Sequence, residues 1–366
     1  MSVAEFCVTD SRVSSHPAPS WGERIRQWRR NNRQRFNRTL ARLFGTSRAK
    51  RMPLAPDTRR ILVVRLNKRL GNILFLTPML RSLSASLPEA RIDLVIQSPA
   101  QVALLQSLPG VGQVYIQRNS LFGLLGLLRT IRRQRYDLAI DPTGNSASNR
   151  MSMALSGARQ RLGFANKDQW LPLTHAAGRT QSRHQALQAV ELLNDAIAEP
   201  EIECFDTLAV FPDNQARQAA DRIWQTTLAG QADEAPVIGF FARATGRKQL
   251  PRHWWQAWII AMRAAAPSAV LVEILPGDDA RPISDELPHV AIKALTELAA
   301  FMARCDQFVA ADSGPMHLAA AAGVPTVGLF QATSPRDYAP LGQSCISLEG
   351  KRLTPELTAR TLAARL

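Results

Sequence analysis

The chain has 366 residues, enough for two domains that each bury a core of their own. Its 45 Lys and Arg outweigh 30 Asp and Glu, a formal charge of +15, but eleven of the basic residues lie between Ser20 and Arg51 against one acid, Glu23, so the excess says little about an active site elsewhere. Cys7, Cys204, Cys305 and Cys345 are far apart and form neither a CxxC pair nor a ligand cluster, which argues against a disulfide framework or a zinc site and for a reducing, cytoplasmic compartment.

Residues 1–57 read as a leader. Residues 1–19 are polar, contain Ser and Pro, and are expected to be disordered. From Trp21 the apolar residues Trp21, Ile25, Trp28, Phe36, Leu40, Leu43 and Phe44 recur at mostly helical spacing among arginines, with Asn31 and Asn32 as a break. A basic amphipathic helix with Trp and Phe suits the surface of an anionic bilayer, and packing on the rest of the chain or a non-specific nucleic-acid tail are the alternatives. There is no signal-peptide core near Met1. The longest apolar run, Leu121 to Leu128 with two glycines, falls short of the ~20 residues that span a bilayer.

A first domain, residues 58–213, is expected from strand-like runs at Ile61–Val64, Ile92–Ile96, Val114–Ile116 and Leu138–Ile140, alternating with helices around 73–86, 100–107 and 121–133. A second, residues 214–366, follows a polar helical connection at 214–228, with strands at 237–241, 269–275, 307–311 and 326–330 and helices around 253–265 and 295–304. Such alternation means an α/β chain of two doubly wound parallel sheets, with ligands expected where the strands' carboxyl ends meet at a shared cleft.

The most informative stretch runs from Ala310 to Phe330: a strand end, the turn Asp312-Ser313-Gly314-Pro315, an Ala-rich helix stopped by Gly323, and a second strand. The first amides of such a helix and its positive dipole end make a phosphate site. The alternative is that Asp312 or Ser313 only caps the helix.

Asp312-Ser-Gly-Pro-Met-His-Leu-Ala-Ala-Ala, then Gly-Val-Pro-Thr-Val and Ala332-Thr-Ser-Pro335, resembles the donor-site segment of the glycosyltransferase family 9 heptosyltransferases. Ile61-Leu-Val-Val-Arg-Leu66, Leu70-Gly71, Leu76-Thr-Pro78 and Tyr136-Asp-Leu-Ala-Ile-Asp141 agree with it in order, so the likeness spans roughly residues 60 to 345. The resemblance implies a GT-B fold of two Rossmann-like domains. It further implies an inverting, metal-independent transfer with no cofactor, from a nucleotide-sugar such as ADP-heptose to a lipopolysaccharide core or related glycolipid, at the inner face of the cytoplasmic membrane.

It also suggests roles for residues. In the loop Ala242–Lys248, Thr245, Gly246 and Lys248 are donor-binding candidates, because Lys248 before Gln249-Leu250-Pro251 looks like the family's donor-contacting lysine. Asp312, Ser313, Gly314, Pro315 and His317 complete the donor set, with His317 as a binding residue and not a base. His184 resembles a residue of a cleft-facing helix, with a structural histidine as the alternative, and Asp278 and Asp279 either touch the donor or cap a loop. The departure is Asn72: the family's opening turn normally ends in Gly-Asp, whose aspartate serves as base, and here it reads Leu70-Gly71-Asn72. An amide can position an acceptor but cannot take its proton. Asp141 is the expected substitute, with a capping role in front of Pro142 as its alternative, and Lys68 and Arg69 are candidates for phosphates on an acceptor.

Overall fold

The computed structural model describes residues 51–366 apart from 119, 145, 166–172, 179 and 232–233. The leader expectations for residues 1–50 lie outside the described residues.

Among these residues, twelve strands form two six-stranded sheets in which every pairing is parallel. The first sheet holds β1 (Arg60–Val64), β2 (Arg91–Ile96), β3 (Val111–Ile116), β4 (Leu138–Asp141), β5 (Gln160–Phe164) and β6 (His175–Ala177), in the order β3-β2-β1-β4-β5-β6. The second holds β7 (Val237–Phe241), β8 (Val270–Leu275), β9 (His289–Ala291), β10 (Gln307–Ala311), β11 (Thr326–Phe330) and β12 (Ile346–Glu349), in the order β12-β11-β10-β7-β8-β9. Read from its other edge, the second sheet repeats the winding of the first. Each order reverses direction at one point, between β1 and β4 and between β7 and β10, and the crevice at such a reversal is where open α/β sheets bind ligands. The segment after β1 carries Asn72, β4 ends on Asp141, the loop after β7 carries Lys248, and the turn after β10 carries Asp312.

The central strands β1, β2, β4, β7, β10 and β11 are almost wholly buried, as expected of strands covered by helices on both faces. They are also the runs that stand out in the sequence. The strands β5, β6, β9 and β12 lie at or next to sheet edges, are three to five residues long and mix polar with apolar residues, so they carry no comparable signal.

The helix expected over 73–86 is instead two helices, Leu70–Leu74 and Thr77–Ser86, and this is a correction. Pro78 has no N–H to give to Leu74, so the first helix stops and a second starts with the proline in its first turn. The break leaves Phe75 as the C-cap of the first helix.

The two halves share apolar surface. Leu74, Phe75 and Leu104 of the first pack in one buried cluster with Leu298, Met316 and Leu318 of the second. The connecting segment bonds to both halves: Leu208 N donates to Leu341 O (3.0 Å), Val210 N to Ala321 O (3.0 Å), and Ala209 N to Thr77 Oγ1 (3.1 Å). The closest approach is between the helices Leu70–Leu74 and Gly314–Ala321. A Cβ on Gly71 would lie 2.8 Å from His317 Cδ2, and one on Gly314 would lie 2.9 Å from Leu70 Cβ. Neither glycine has a positive φ, so what these positions demand is space and not backbone freedom.

Gly71→Ala should therefore lower stability by about 1–3 kcal/mol, the usual cost of overpacking. Thermal and urea unfolding of the variant will check this, and an unchanged transition would mean that the two helices part without cost.

Candidate active site

Asp312 follows β10 and is 4% exposed. Its Oδ2 accepts from Thr333 Oγ1 at 2.6 Å and lies 2.7 Å from Lys248 Nζ, while Oδ1 lies 3.7 Å from His317 Nε2. Burial alone would raise its pKa, but interactions with His317, Lys248 and Thr333 outweigh this and hold it at about 2. Asp312 is a permanent anion at any ordinary pH.

Ser313 occupies the N-cap of the Gly314–Ala321 helix with extended backbone, yet its hydroxyl makes no capping bond, and Ser313 Oγ is buried without a hydrogen-bond partner. The capping alternative for the Asp312-Ser313 turn thus finds no side-chain cap here. Pro315 stands in the first turn, where it has no N–H to leave unsatisfied, and Gly323 ends the segment at φ +89°. His317, 2% exposed, is pushed toward the neutral imidazole by burial against the opposing pull of Asp312, and its Nδ1 has no partner.

Lys248 is brought to this turn by a loop that one side chain holds. Gln249 Nε2 donates to Ala242 O (2.9 Å) and to Leu250 O (2.8 Å), and its Oε1 accepts from Ala244 N (2.5 Å). Gly246, at φ +61°, makes the tight turn that L side chains resist, and Thr245 and Gly246 are both exposed at the loop tip. Donor-set residues separated by some 65 positions in the chain, Lys248 and Asp312 to His317, are thus assembled at one turn. Asp278 is not among them: it is 63% exposed and pairs with Lys293 at 2.6 Å.

A cleft of about 980 Å³ is lined among others by Arg65, Asn72, Phe75, Arg183, Asp337 and Tyr338; Lys248 and Asp312 to His317 are not among its lining residues, and Phe75 and Tyr338 link it to this turn through their contacts with His317 and Lys248. Asn72 is one of the residues that line this cleft. Lys68 and Arg69 do not line it; they are exposed, with Arg69 at the N-cap of the Leu70–Leu74 helix.

Asp141 does not line the cleft either and is fully buried. Its Oδ1 accepts from Thr143 N (3.1 Å), Thr143 Oγ1 (2.8 Å) and Asn149 Nδ2 (3.1 Å), and its Oδ2 lies 3.3 Å from Arg150 Nε. Burial pushes its pKa up, against Arg150 and these hydrogen bonds. The geometry corrects the expectation of a base at this position: Asp141 closes the turn after β4 and neutralises a buried arginine, and no ligand hydroxyl can reach it in this conformation. Among the described residues that line the cleft, Asp337, in the short helix Pro335–Tyr338, is the one carboxylate.

Several residues that sequence reasoning passed over join the halves here. Phe75 meets His317 edge-on (4.6 Å between centroids) and His184 likewise (5.4 Å), and stacks on Tyr338 (6.2 Å), over whose ring Lys248 Nζ sits at 5.6 Å. His184 takes its structural alternative: Nδ1 accepts from Ala186 N (3.2 Å) at the start of the Gln185–Ala196 helix, and Nε2 lies 3.0 Å from Ala339 O across the interface. Beside it Arg183 Nε reaches Asp337 Oδ1 at 3.2 Å. Arg65, at the end of β1, lines the cleft with a buried Nε that has no partner. Arg65 directly follows the first strand, a position that could have been flagged from sequence; Phe75 and Tyr338 carry no such local signal.

The family model described as Glycosyltransferase family 9 (heptosyltransferase) matches residues 124–362, about two thirds of the chain. Lipopolysaccharide heptosyltransferase 3 of Escherichia coli (strain K12) is 25% identical over 293 residues, 72% of this chain and 80% of the relative. Among solved structures, E. coli ADP-heptose LPS heptosyltransferase II superposes with a TM-score of 0.67 at 20% identity, covering 84% of this chain and 98% of that one. E. coli heptosyltransferase WaaC with ADP gives 0.65 at 15% identity, covering 84% and 100%. Two Rossmann-like halves facing a cleft, a superposition on GT-B heptosyltransferases and a family match over most of the second half and part of the first lead to one assignment: the chain belongs to glycosyltransferase family 9 and is a glycosyltransferase.

Proposed function

We propose that this enzyme moves a heptose from ADP-heptose onto a lipopolysaccharide core or related glycolipid, in one inverting displacement that needs no metal. The observation that carries the reading is the pair of half-buried Lys248 and buried Asp312 beside a helix N-terminus whose own N-cap hydroxyl has no hydrogen-bond partner among the described residues. Leaving-group chemistry requires fixed positive potential where the diphosphate gains charge. Lys248 and the first amides of the Gly314–Ala321 helix offer it, with Ser313 Oγ as a further donor and the loop-tip residues Thr245 and Gly246 folding over the nucleotide. Asp312 aims Lys248 and stays charged. The similarity to lipopolysaccharide heptosyltransferases, one of them solved with ADP, supports this donor and acceptor.

On the acceptor side, Asn72 holds the attacking hydroxyl, and Arg65 and Arg183 suit an anionic acceptor. The acceptor oxygen bonds to the anomeric carbon, the bond from that carbon to the diphosphate breaks with its electron pair leaving on ADP, and the hydroxyl proton passes to a carboxylate. Asp312 is too weak a base for this at a pKa of about 2 and Asp141 is enclosed, so we assign the proton to Asp337. The leader, rich in Arg, Trp and Phe, holds the enzyme at the inner face of the cytoplasmic membrane. Asn72 also favours a second reading, a silent relative that binds nucleotide-sugar or glycolipid without transfer.

Lys248→Ala and Asp312→Ala should each weaken donor affinity or turnover by about one to two decades, the worth of a charge-assisted contact, as read by titration with ADP-heptose and by ADP release. Donor handling like the parent's in both variants would remove the site from this turn.

The base is tested by comparing two isosteric changes. Asp337→Asn should lower turnover by about two to four decades with donor affinity kept. Asp141→Asn should instead lower the melting temperature, because it leaves Arg150 buried without its counter-charge, at a cost of about 3–5 kcal/mol. A parent without turnover that gains it through Asn72→Asp would select the silent reading.

A further inference from the structure

The helix Leu121–Gln134 is built from the most apolar run in the chain, yet its described side chains contribute one buried residue, Ile131. Phe122 is 87% exposed and Leu125 55% exposed, and a Cβ on Gly126 would meet nothing. Phe122, Leu125, Arg129 and Arg132 fall at helical spacing on one face, so that face is apolar at its start and basic at its end. The neighbouring helix Ala147–Leu155, which packs against it, exposes Met151 and Leu155.

Charge decides what this face suits. No Asp or Glu occurs from 94 to 136, or from 142 to 167. Arg118, Arg129, Arg132, Arg133 and Arg135 are all basic, and none forms an ion pair among the described residues. The leader, with eleven basic residues against one acid between Ser20 and Arg51, is a poor occupant for so basic a face. Arg132 and Arg135 share a surface pocket with Asp57 and Asp137, but both carboxylates pair with Arg159, so an apolar stripe with unpaired arginines at its end fits the boundary between acyl chains and anionic headgroups. Six apolar residues and two glycines are too few to cross a bilayer, so the helix would lie in the plane of the surface.

Its place in the fold gives the contact a use. The helix follows β3, so Phe122 stands at the carboxyl edge of the first sheet, the edge where the cleft opens, and the Ala147–Leu155 helix starts directly after Ser146, which lines the cleft. We infer that the helix Leu121–Gln134 is a second, leader-independent lipid-facing element that sets the cleft mouth against an anionic bilayer. This inference deepens, and rests for its purpose on, the proposed action on a glycolipid acceptor.

The test uses the full chain with vesicles of phosphatidylethanolamine and phosphatidylglycerol, and with phosphatidylcholine vesicles as the neutral control. Phe122→Ser with Leu125→Ser should weaken binding to the anionic vesicles at least about tenfold, from the apolar burial that is lost. Hydrogen exchange in residues 121–134 of the parent should slow on anionic vesicles and not on neutral ones. Both side chains are exposed, so the variant should melt like the parent. A second variant, Arg29→Gln with Arg30→Gln and Arg33→Gln, reads the leader separately. If the leader variant still binds and the helix variant does not, the helix stands and the leader reading falls. Parent-like binding by the helix variant, with no slowed exchange in 121–134, overturns the inference even if the leader binds lipid. A parent that binds no anionic vesicle overturns both.

Discussion

The ring of Phe75 is the point on which the two halves of the molecule close, and the charges of the site depend on it. It exists as a cleft residue because Pro78 breaks one expected helix into two. From there it buttresses His317 and His184 edge-on and stacks on Tyr338, whose ring in turn lies under Lys248. Gly71, on the same short helix, leaves the space that His317 occupies. A contact made by the first half thus packs on the imidazole beside Asp312 and on the ring under the ammonium bonded to it.

Two buried carboxylates stand at corresponding strand ends in the two sheets, Asp141 as the last residue of β4 and Asp312 directly after β10, and their surroundings give them opposite characters. Asp312 faces Lys248, which is partly exposed, and a threonine hydroxyl, and is held at about 2. Asp141 is enclosed with Arg150, and desolvation dominates and pushes it upward. The first arrangement suits a fixed anion that orients a cation toward an incoming diphosphate. The second is a closed ion pair whose removal costs stability and whose presence positions a turn. Sequence position at a strand end does not separate these cases; the exposure of the partner does.

Much of the architecture was legible because parallel strands buried on both faces must be continuous apolar runs: Ile61–Val64, Phe308–Ala311 and Thr326–Phe330 could hardly be anything else. The donor turn was legible because Gly314, Pro315 and Gly323 each have a local reason to be where they are. Edge strands such as β9 and β12 were not, since their placement comes from a neighbour's hydrogen bonds and not from their own composition. Asp141 was misread for the same kind of reason. An aspartate before proline at a strand end looks the same whether Arg150 lies over it or a cleft does, and that arginine is nine residues away. Phe75, Tyr338 and the Arg183–Asp337 pair were missed because their meaning is across the interface, which no local pattern encodes.

The central claim is that the first half, through Phe75, sets the geometry of the Lys248–Asp312 pair. A double-mutant cycle on donor affinity tests it most directly, with Phe75→Ala, Lys248→Ala and the double variant titrated with ADP. The account predicts that the two changes are not additive, with a coupling above about 0.5 kcal/mol, because loss of the ring already misplaces the ammonium. Effects that add within that margin would contradict it and leave the two halves as independent binding units.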